Sequence, residues 1–456
     1  MALPGRHGKV EMVNPKSRIR DPTLLNSFAV ADMEPSIIES IRKVSYLPIG
    51  TLLANNPSIE VLIHPSGRDI FKPKEIMAEI KLRFTAADGT TALTSGDVTD
   101  KYAITWMGLY GLFTNQKSFT NEQIICDSNG LYLQRSAHQL LTQKSKKQFE
   151  NELLLAGVHL PSPGKHDSTI AKENANAKAK QALMVDSNTI TWTGPIFTPL
   201  ADPDEEFILP TNTSMRFQWT KASLAQILTC TVADAAKVQM HIDSFKVIVP
   251  KIRIDEESAL ALERTLQSHP CVYKLRKWVS TYITIPPGLS SSVLDGFYSG
   301  ETPLYTLVSF LTPARLQGGF LIDGACFSDN KLQSLQVCID EEEEYRQPIR
   351  QDEHNVNEPI LALLEGLDLF NKSNQARDLV INRDNFASGF QVYLFNHCSD
   401  SKISPDSWMP LKRGHMRFKF QIKDALAGSS IVVLFNMVFQ AKMSIHADRT
   451  ITFHNN

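Results

Sequence analysis

The sequence lacks the signatures of several common protein classes. No run of about 18 consecutive apolar residues occurs, which argues against a transmembrane helix. Residues 1–20 have no apolar segment typical of a signal peptide. The Walker phosphate loop, GxGxxG, HExxH, GxSxG and the EF-hand loop are also absent. None of the six cysteines lies in a CxxC pair, so we expect free, buried thiols in a reducing compartment.

The chain also has little net charge. Its 47 Lys and Arg residues against 49 Asp and Glu give −2 at pH 7, so no global basic field exists to hold nucleic acid or an anionic membrane. Any such contact must be local, and the candidate is a polar arm over residues 1–34. Its basic side chains are Arg6, Lys9, Lys16, Arg18 and Arg20. We expect them either to contact nucleic-acid phosphates weakly or to reach a neighbouring subunit.

One segment of the chain recurs. Residues 215–225 read MRFQWTKASLA, and residues 416–427 read MRFKFQIKDALA, 201 positions later (416 minus 215). A proline precedes each copy and a long apolar run follows it. A chain of 456 residues is long enough for two domains of roughly 200 residues. The repeat therefore predicts two similar all-β domains: residues 1–45 as an arm and short helix, 46–255 as the first domain, and 256–456 as the second.

Alternating and β-branched runs predict many strands and few helices, which is typical of a sandwich or jelly roll. The run 431–435 is apolar throughout and predicts a strand buried on both faces, against the twin sandwich or another subunit. The predicted strands are 59–64, 74–85, 123–126, 189–200, 207–209, 214–220, 238–254, 272–285, 304–311, 319–322, 332–339, 389–395, 415–422, 430–445 and 451–454, with 102–113 as a further apolar stretch.

Helical spacing occurs in four places. Pro35 opens a short amphipathic helix containing Ile37, Ile38 and Ile41, and residues 131–155 form a helical region with a break near Lys144. Two further helices are predicted at 256–267 and 357–370. Residues 161–185 are poor in hydrophobic residues, so we expect a long exposed loop in which Lys165 and His166 serve only solubility.

The candidates for chemistry are weak. His397 and Cys398 are adjacent on a predicted strand, so they face opposite sides and do not form a nucleophile pair. The acidic run 340–344 could bind Ca²⁺, but it lacks the glycine turns of calcium loops and is better explained as a solvated or partner-facing loop. Arg216 and Arg417 either form ion pairs between domains or subunits, or simply occupy the outward positions of alternating strands, which is the interpretation we favour. The dispersed histidines are expected to be structural.

The second half of the chain resembles a known family in the order of its segments. Residues 245–252 lead through the helical segment 256–267 to 283–288, which read ITIPPG, followed by Phe297, Gly300 and Pro303. Residues 378–393 and 414–420 come later. This order resembles the double jelly-roll major capsid proteins of Polinton/Maverick elements and adintovirus-like DNA viruses, from about residue 245 onward, with only a general likeness of layout in the first 200 residues.

The resemblance implies a mainly β fold of two tandem eight-stranded jelly-roll sandwiches with short inserted helices and long loops. It implies a structural protein, without catalytic, cofactor-binding or metal-binding residues, that forms homotrimeric, pseudo-hexagonal capsomers of an icosahedral shell. The implied partners are neighbouring capsomers and penton and minor capsid proteins, in a virion without stable membrane insertion of this chain. The protein is then made in the host cytoplasm, with the nucleus as one place of assembly.

Two rival functions remain at this point. The first is a carbohydrate- or receptor-binding β-sandwich, such as a minor capsid protein or a spike. The second is an enzyme, because jelly rolls can house metal sites. A cupin, however, needs clustered histidine and carboxylate ligands, and none are visible in the sequence.

Overall fold

The computed structural model describes residues 38–52, 56–64, 67–201, 208–328, 332–340, 348–351, 356–367, 379–397, 413–423 and 430–454. Several predictions lie outside the described residues. They concern the basic arm (Arg6, Lys9, Lys16, Arg18 and Arg20), the acidic run 341–344, Cys398, the helical residues 368–370 and the last residues of the second repeat copy, 424–427.

The strands of the first half form two four-stranded arrangements, ordered β1-β11-β4-β8 and β2-β9-β6-β7. The short strand β3 also pairs with β11, and β5 and β10 form a separate two-stranded sheet. The strands are β1 Ile38–Tyr46, β2 Ser58–Ile63, β3 Asp69–Phe71, β4 Met77–Ala86, β5 Ala103–Ile104, β6 Phe113–Thr120, β7 Gln123–Asp127, β8 Ile190–Pro195, β9 Met215–Lys221, β10 Leu228–Thr229 and β11 Val238–Ile254.

The strands of the second half form the orders β12-β19-β14-β17 and β13-β18-β15-β16, and β20 adds to β19. These strands are β12 Cys271–Ile285, β13 Ser291–Glu301, β14 Tyr305–Leu311, β15 Leu332–Ile339, β16 Ile349–Arg350, β17 Tyr393–Asn396, β18 Arg413–Ile422, β19 Ile431–Ile445 and β20 Ile451–His454.

The two halves have the same topology. Within the described residues, each half contributes eight strands when the short β3, β5, β10 and β20 are set aside. In both halves the first, eighth, third and sixth of these form one sheet, and the second, seventh, fourth and fifth form the other. All the pairings are antiparallel, as in a jelly roll. The repeated strands β9 and β18 hold the same position, which explains why the similarity survives there.

Helices fill the connections between strands. They are α1 Ser95–Val98, α2 Tyr132–Gln143, α3 Lys146–Glu150, α4 Glu152–Leu155, α5 Ala175–Gln181, α6 Leu224–Ile227, α7 Val232–Ala235, α8 Glu256–Ser268, α9 Pro313–Gln317, α10 Asn357–Gly366 and α11 Arg383–Phe386. Turns of 3₁₀ helix occur at Pro73–Glu75, Gly108–Leu112, Val185–Ser187 and Pro199–Ala201.

The three longer helix predictions agree with the structure. The break near Lys144 is confirmed, because α2 ends there and α3 restarts with Ser145 as its N-cap. Helix α8 begins after Asp255, whose carboxylate accepts a hydrogen bond of 2.8 Å from the backbone N–H of Ser258. Helix α10 begins at Asn357, as the apolar spacing of that segment predicts.

The predicted helix after Pro35 is wrong, since Ile38 to Tyr46 form the strand β1 instead. This strand pairs antiparallel with the second part of β11, with Tyr46 opposite Val247 and Ile38 opposite Ile254. Its isoleucines satisfy a helical spacing, but β-branched side chains favour a strand once a long partner strand offers its hydrogen-bonding edge.

The predicted exposed loop at 161–185 is also wrong in part. Residues 175–181 form helix α5, and His166 and Lys180 are buried. The apolar stretch 102–113 is buried and contains mainly the two-residue β5 and a 3₁₀ turn, and the predicted strand 319–322 is only an isolated bridge. Strands β6 and β13 were missed, because polar side chains interrupt their patterns.

The hydrophobic core runs without interruption through both halves. Strand β19 is buried on both faces from Ile431 to Phe439, as predicted. The ring of Phe435 stacks on Phe297 of β13 at 4.3 Å between centroids, inside the second sandwich. Because side chains alternate along a strand, the neighbouring Asn436 points outward, and the first half covers that outer face.

Candidate functional site

The candidate site is the junction where the first half of the chain packs against the second. Helix α2 supplies His138, which lies between two strands of the second sandwich. The Nε2 atom of His138 is 3.0 Å from Ser309 Oγ on β14, and Nδ1 is 2.7 Å from Asn436 Nδ2 on β19. Asn436 Oδ1 in turn accepts a 2.5 Å hydrogen bond from Ser280 Oγ on β12. A buried polar chain therefore connects one half to three strands of the other.

These residues resemble a Ser–His–Asn catalytic set, but their geometry is structural. The amide nitrogen of Asn436 is a donor, so Nδ1 of His138 must accept and the ring carries its proton on Nε2. Nε2 then donates to Ser309 and cannot remove the serine proton. His138, Ser309 and Asn436 have no solvent exposure, and burial lowers the pKa of His138 to about 3. The chain fixes the position of the helix on the sheet.

A charged cluster forms a second connection at the junction. Arg315 of α9 donates to both oxygens of Asp167, at 2.8 and 2.5 Å, and to the carbonyl of Asp323 at 2.7 Å. The backbone N–H of Asp323 donates to Asp167 at 2.7 Å. A paired, planar arrangement of this kind is among the stronger polar contacts in proteins. It attaches the segment around Asp167, in the first half, to the connection that follows β14.

Lys180 is fully buried beside this cluster. Its Nζ donates to the carbonyl of Thr105 and lies 5.5 Å from the centre of the Trp192 ring. Burial lowers the pKa of Lys180 to about 7, against the attraction of the Asp323 carboxylate. Burial likewise raises the pKa of Asp323. Both shifts follow from removal of charged groups from water, and such shifts also occur in purely structural clusters.

A third connection lies at the hairpin between β19 and β20. Arg449 donates to the carbonyl of Thr211 at 2.9 Å and pairs with Glu263 of α8, while its own carbonyl accepts from Asn121 Nδ2 at 2.8 Å. Near it, Tyr273 Oη of β12 donates to the carbonyl of Ile208 at 2.8 Å. The junction is thus fixed at separate points, so the two sandwiches have one defined orientation.

The structure assigns Arg216 and Arg417 to the outward positions of alternating strands. Arg216 pairs with Glu60 of β2 at 3.0 Å and Glu122 at 2.8 Å, and its guanidinium lies over the Phe119 ring. Arg417 pairs with Asp295 of β13 at 2.8 Å. These partners belong to the same sandwich as each arginine, so the contacts are local and do not bridge the two halves.

We expect Arg216→Gln and Arg417→Gln each to lower the free energy of unfolding by no more than about 1 kcal/mol, because partly exposed ion pairs contribute little. Urea denaturation followed by tryptophan fluorescence measures this. Size-exclusion chromatography of both variants should give the elution volume of the unchanged protein. A variant that changed its oligomeric state would instead support an ion pair between subunits.

The remaining sequence candidates do not converge on one place. His397 Nε2 lies 3.0 Å from Thr306 Oγ1, and His241 Nε2 lies 2.9 Å from Thr85 Oγ1. No disulfide joins the cysteines within the described residues, and all of them but Cys271 are buried. In the part of the chain that the structure describes, no group of three or more His, Cys, Asp or Glu residues could hold a metal ion. Nor is any helix there long and apolar enough to cross a membrane.

Sequence reasoning missed the junction. Its members come from positions far apart in the chain, such as Asp167 and Arg315, and each is unremarkable in its local context. One signal was visible: Asn436 is the only polar residue between Ile431 and Phe439. A polar residue in a run buried on both faces requires a hydrogen-bond partner, which would have predicted a buried contact at that position.

The chain matches no protein-family model and no curated protein. It does match solved structures of viral particles and capsid proteins over nearly its whole length. A chain of the Sputnik virophage, determined by cryo-EM at 3.5 Å, has a TM-score of 0.62 at 9% identity, covering 100% of this chain and 93% of that one. The Faustovirus major capsid protein gives a TM-score of 0.56 at 8% identity, covering 92% and 94%. The quasi-atomic PBCV-1 virus capsid gives 0.55 at 11%, covering 93% and 98%.

The chain is a double jelly roll. The repeated eight-strand order and the full-length match to these structures confirm the fold predicted from the sequence. At identities of 8 to 11%, the likeness concerns the path of the backbone. In this double jelly roll, the junction is where buried hydrogen bonds and ion pairs join the two sandwiches.

Proposed function

We propose that this double jelly roll is the major capsid protein of a DNA virus, a structural component of the virion. The observation that carries the proposal is the pair of topologically identical sandwiches locked together by a buried junction. The Faustovirus major capsid protein and the PBCV-1 capsid, to which the chain is similar, have this backbone arrangement over more than nine-tenths of this chain.

The proposed working unit is a homotrimer. Three chains with two similar sandwiches each present six sandwiches around one axis, and this gives a tile of nearly hexagonal outline. Such a tile can pack edge to edge only if the angle between the two sandwiches of each chain is fixed. The His138 chain, the Arg315–Asp167 pair and the hydrogen bond from Arg449 to the Thr211 carbonyl meet that requirement.

The proposal includes a division of the chain. We take residues 46–255 and 256–456 as the two jelly-roll domains, with β1 joined to the first domain since it pairs with β11. The basic residues Arg6, Lys9, Lys16, Arg18 and Arg20 are proposed to contact a neighbouring subunit or, weakly, packaged DNA. Neighbouring capsomers, penton proteins and minor capsid proteins are the further partners proposed.

The test is the mass of the particle in solution. Size-exclusion chromatography with light scattering at micromolar concentration should give a species of about 153 kDa, three times the 51.0 kDa chain. Negative-stain images of that peak should show particles of pseudo-hexagonal outline. A strictly monomeric protein, particularly one with reproducible hits on a glycan array, would favour a carbohydrate- or receptor-binding protein instead.

A further inference from the structure

Residues 161–168 lie across the junction and contact both halves of the chain, and we call them the strap. The backbone N–H of Gly164 donates to the carbonyl of Ser388 at 3.0 Å, and Asp167 accepts from Arg315 and from the backbone of Asp323. On the first half, the strap is attached through Ser162 Oγ, which accepts from the Ala175 N–H at 3.2 Å. The strap thus fastens an insertion of the first sandwich onto the second.

His166 is the unusual residue of the strap. Its side chain is buried against Phe390, with ring centroids 4.9 Å apart, and the backbone of Gly389 lies so close that a Cβ there would overlap the imidazole. Neither ring nitrogen has a hydrogen-bond partner within the described residues. A neutral imidazole can occupy such a site, but an imidazolium has no acceptor there and must reach water.

The charged groups around His166 give a protonated ring little support. The Arg315 guanidinium repels an imidazolium, and Asp167, which would attract it, has both oxygens engaged by Arg315 and Asp323. Further groups near the cluster are Lys165, paired with Glu173 at 3.3 Å, the buried Lys180 and Asp323, the Cys326 thiol, and His159, which Lys180 repels. Among these carboxylates only Asp167 acts on the charge of His166, and its two oxygens already accept from Arg315 and from the backbone of Asp323.

We propose that the strap is an acid-released fastener: protonation of His166 detaches residues 161–168 from the second sandwich while both sandwiches stay folded. The ring must leave the Gly389–Phe390 surface to be solvated, and this movement pulls Asp167 away from Arg315. All the contacts of the strap lie within one chain, so its release does not depend on assembly. It can be tested on a monomer or on an oligomer. In a virion, it would loosen each tile under acidic conditions.

The sign of the effect follows from linkage. Burial lowers the pKa of His166 from 6.5 to about 4, with Asp167 opposing and Arg315 reinforcing the shift. Above pH 6.5 the ring is neutral whether the strap is closed or open, so the closed strap has its full stability there. As the pH falls from 6.5 towards 4, only the open form takes up the proton, and opening becomes more favourable.

Acid should raise the ratio of open to closed strap by a calculable factor. Between about pH 7.5 and about pH 5, the linkage relation with these two pKa values raises the opening equilibrium of the strap about 30-fold. The buried Asp323 acts in the opposite direction, because burial raises its pKa and the folded form gains stability as the pH falls. Asp323 stays at its place on the second sandwich when the strap opens, so it offsets only part of the change.

Hydrogen exchange measured by mass spectrometry tests the proposal. Peptides covering 161–168 should exchange up to about 30-fold faster at about pH 5 than at about pH 7.5, after correction for the intrinsic exchange rates, while peptides of β19 keep their protection. In His166→Asn, or in His166→Leu if the first variant does not fold, the ratio should fall below about threefold. The exposed His415, changed to Asn, is the matched control and should leave the ratio unchanged.

Three results would overturn the proposal. The first is equal protection of the strap at both pH values. The second is an acid response that persists in both His166 variants, because a different group would then be responsible. The third is simultaneous loss of protection in the strap and in β19, which would mean general unfolding and no local release. None of these exchange measurements depends on the oligomeric state. Failure of the trimer proposal and failure of the strap proposal can therefore be told apart.

Discussion

Gly108→Ala is expected to lower the free energy of unfolding by at least about 4 kcal/mol, or to prevent folding. Gly108 begins the buried 3₁₀ turn Gly108–Leu112 with a φ of +54°. A Cβ at this position would lie within 3.0 Å of the carbonyl oxygen of Ala156 and of the backbone of Gly157. Those atoms are backbone and cannot move aside as a flexible side chain would. Overlap and backbone strain therefore act together.

The effect should extend to the junction. Trp106, two residues before Gly108, donates its indole N–H to the carbonyl of Ala325 at 3.2 Å, and its ring meets Phe390 edge-on at 5.3 Å. A displaced turn at Gly108 would therefore also move a contact between the two halves. The yield of folded protein, urea denaturation and the oligomeric state of any soluble fraction are the measurements.

Gly130→Ala is the matched control. Gly130 also has a positive φ, of +78°, but a Cβ there would meet nothing within 4 Å. Alanine at this position has the strain of a positive φ but no overlap between its Cβ and other atoms. We expect this variant to lower the free energy of unfolding by about 1–2 kcal/mol. Equal losses in the two variants would show that the crowding at Gly108 has been overestimated and that backbone conformation alone sets the effect.

Periodicity predicted the parts of the fold that depend on local pattern. In β9, the inward-facing Met215, Phe217 and Trp219 are buried while Arg216 and Gln218 are not, and the alternation was readable from the sequence. The recurrence of this strand as β18 predicted the duplication, because the same place in a jelly roll demands the same alternation. Strand β11 alternates in the same way from Phe245 to Val249, whereas β19 was predicted from its uninterrupted apolar run.

Tertiary contacts decided the parts that the sequence did not predict. Strand β1 depends on the free edge of β11, which lies more than 200 residues later in the chain. The strap looked like a solvated loop because it is polar, yet His166 and Asp167 are held by Arg315, Gly389 and Phe390 of the other half. Local composition cannot show a partner that only the packing of two domains provides.

The second large effect is expected for Asn436→Leu, which removes the central member of the polar chain at the junction. Leucine preserves the size of the side chain but leaves His138 Nδ1 and the Ser280 hydroxyl without their contacts of 2.7 and 2.5 Å. Each buried polar group left without a partner costs about 1–3 kcal/mol. We therefore expect the free energy of unfolding to fall by about 4 kcal/mol, measured by urea denaturation at neutral pH.

A double-mutant cycle separates this interaction from a general loss of packing. His138→Leu alone should also destabilise the protein, because Asn436 and Ser309 lose their contacts with the imidazole. In the double variant, neither residue leaves the other unpaired. Its loss in free energy of unfolding should therefore be smaller than the sum of the two single losses by at least about 1 kcal/mol. Losses that add to within about 0.5 kcal/mol would mean that His138 and Asn436 do not interact in the folded protein.

Met437→Leu is the control on the same strand. The side chain of Met437, next to Asn436, faces the interior of the second sandwich, and leucine is close to methionine in volume. Its effect should stay below about 1.5 kcal/mol. This contrast bears on the proposed function. An apolar contact would let the two sandwiches slide past each other. The hydrogen bonds from Ser280 through Asn436 and His138 to Ser309 form in one relative position only. If Asn436→Leu remained as stable as Met437→Leu, the orientation of the two sandwiches would have to be set by the Arg315–Asp167 pair and by the hydrogen bonds of Arg449 to Thr211 and Asn121.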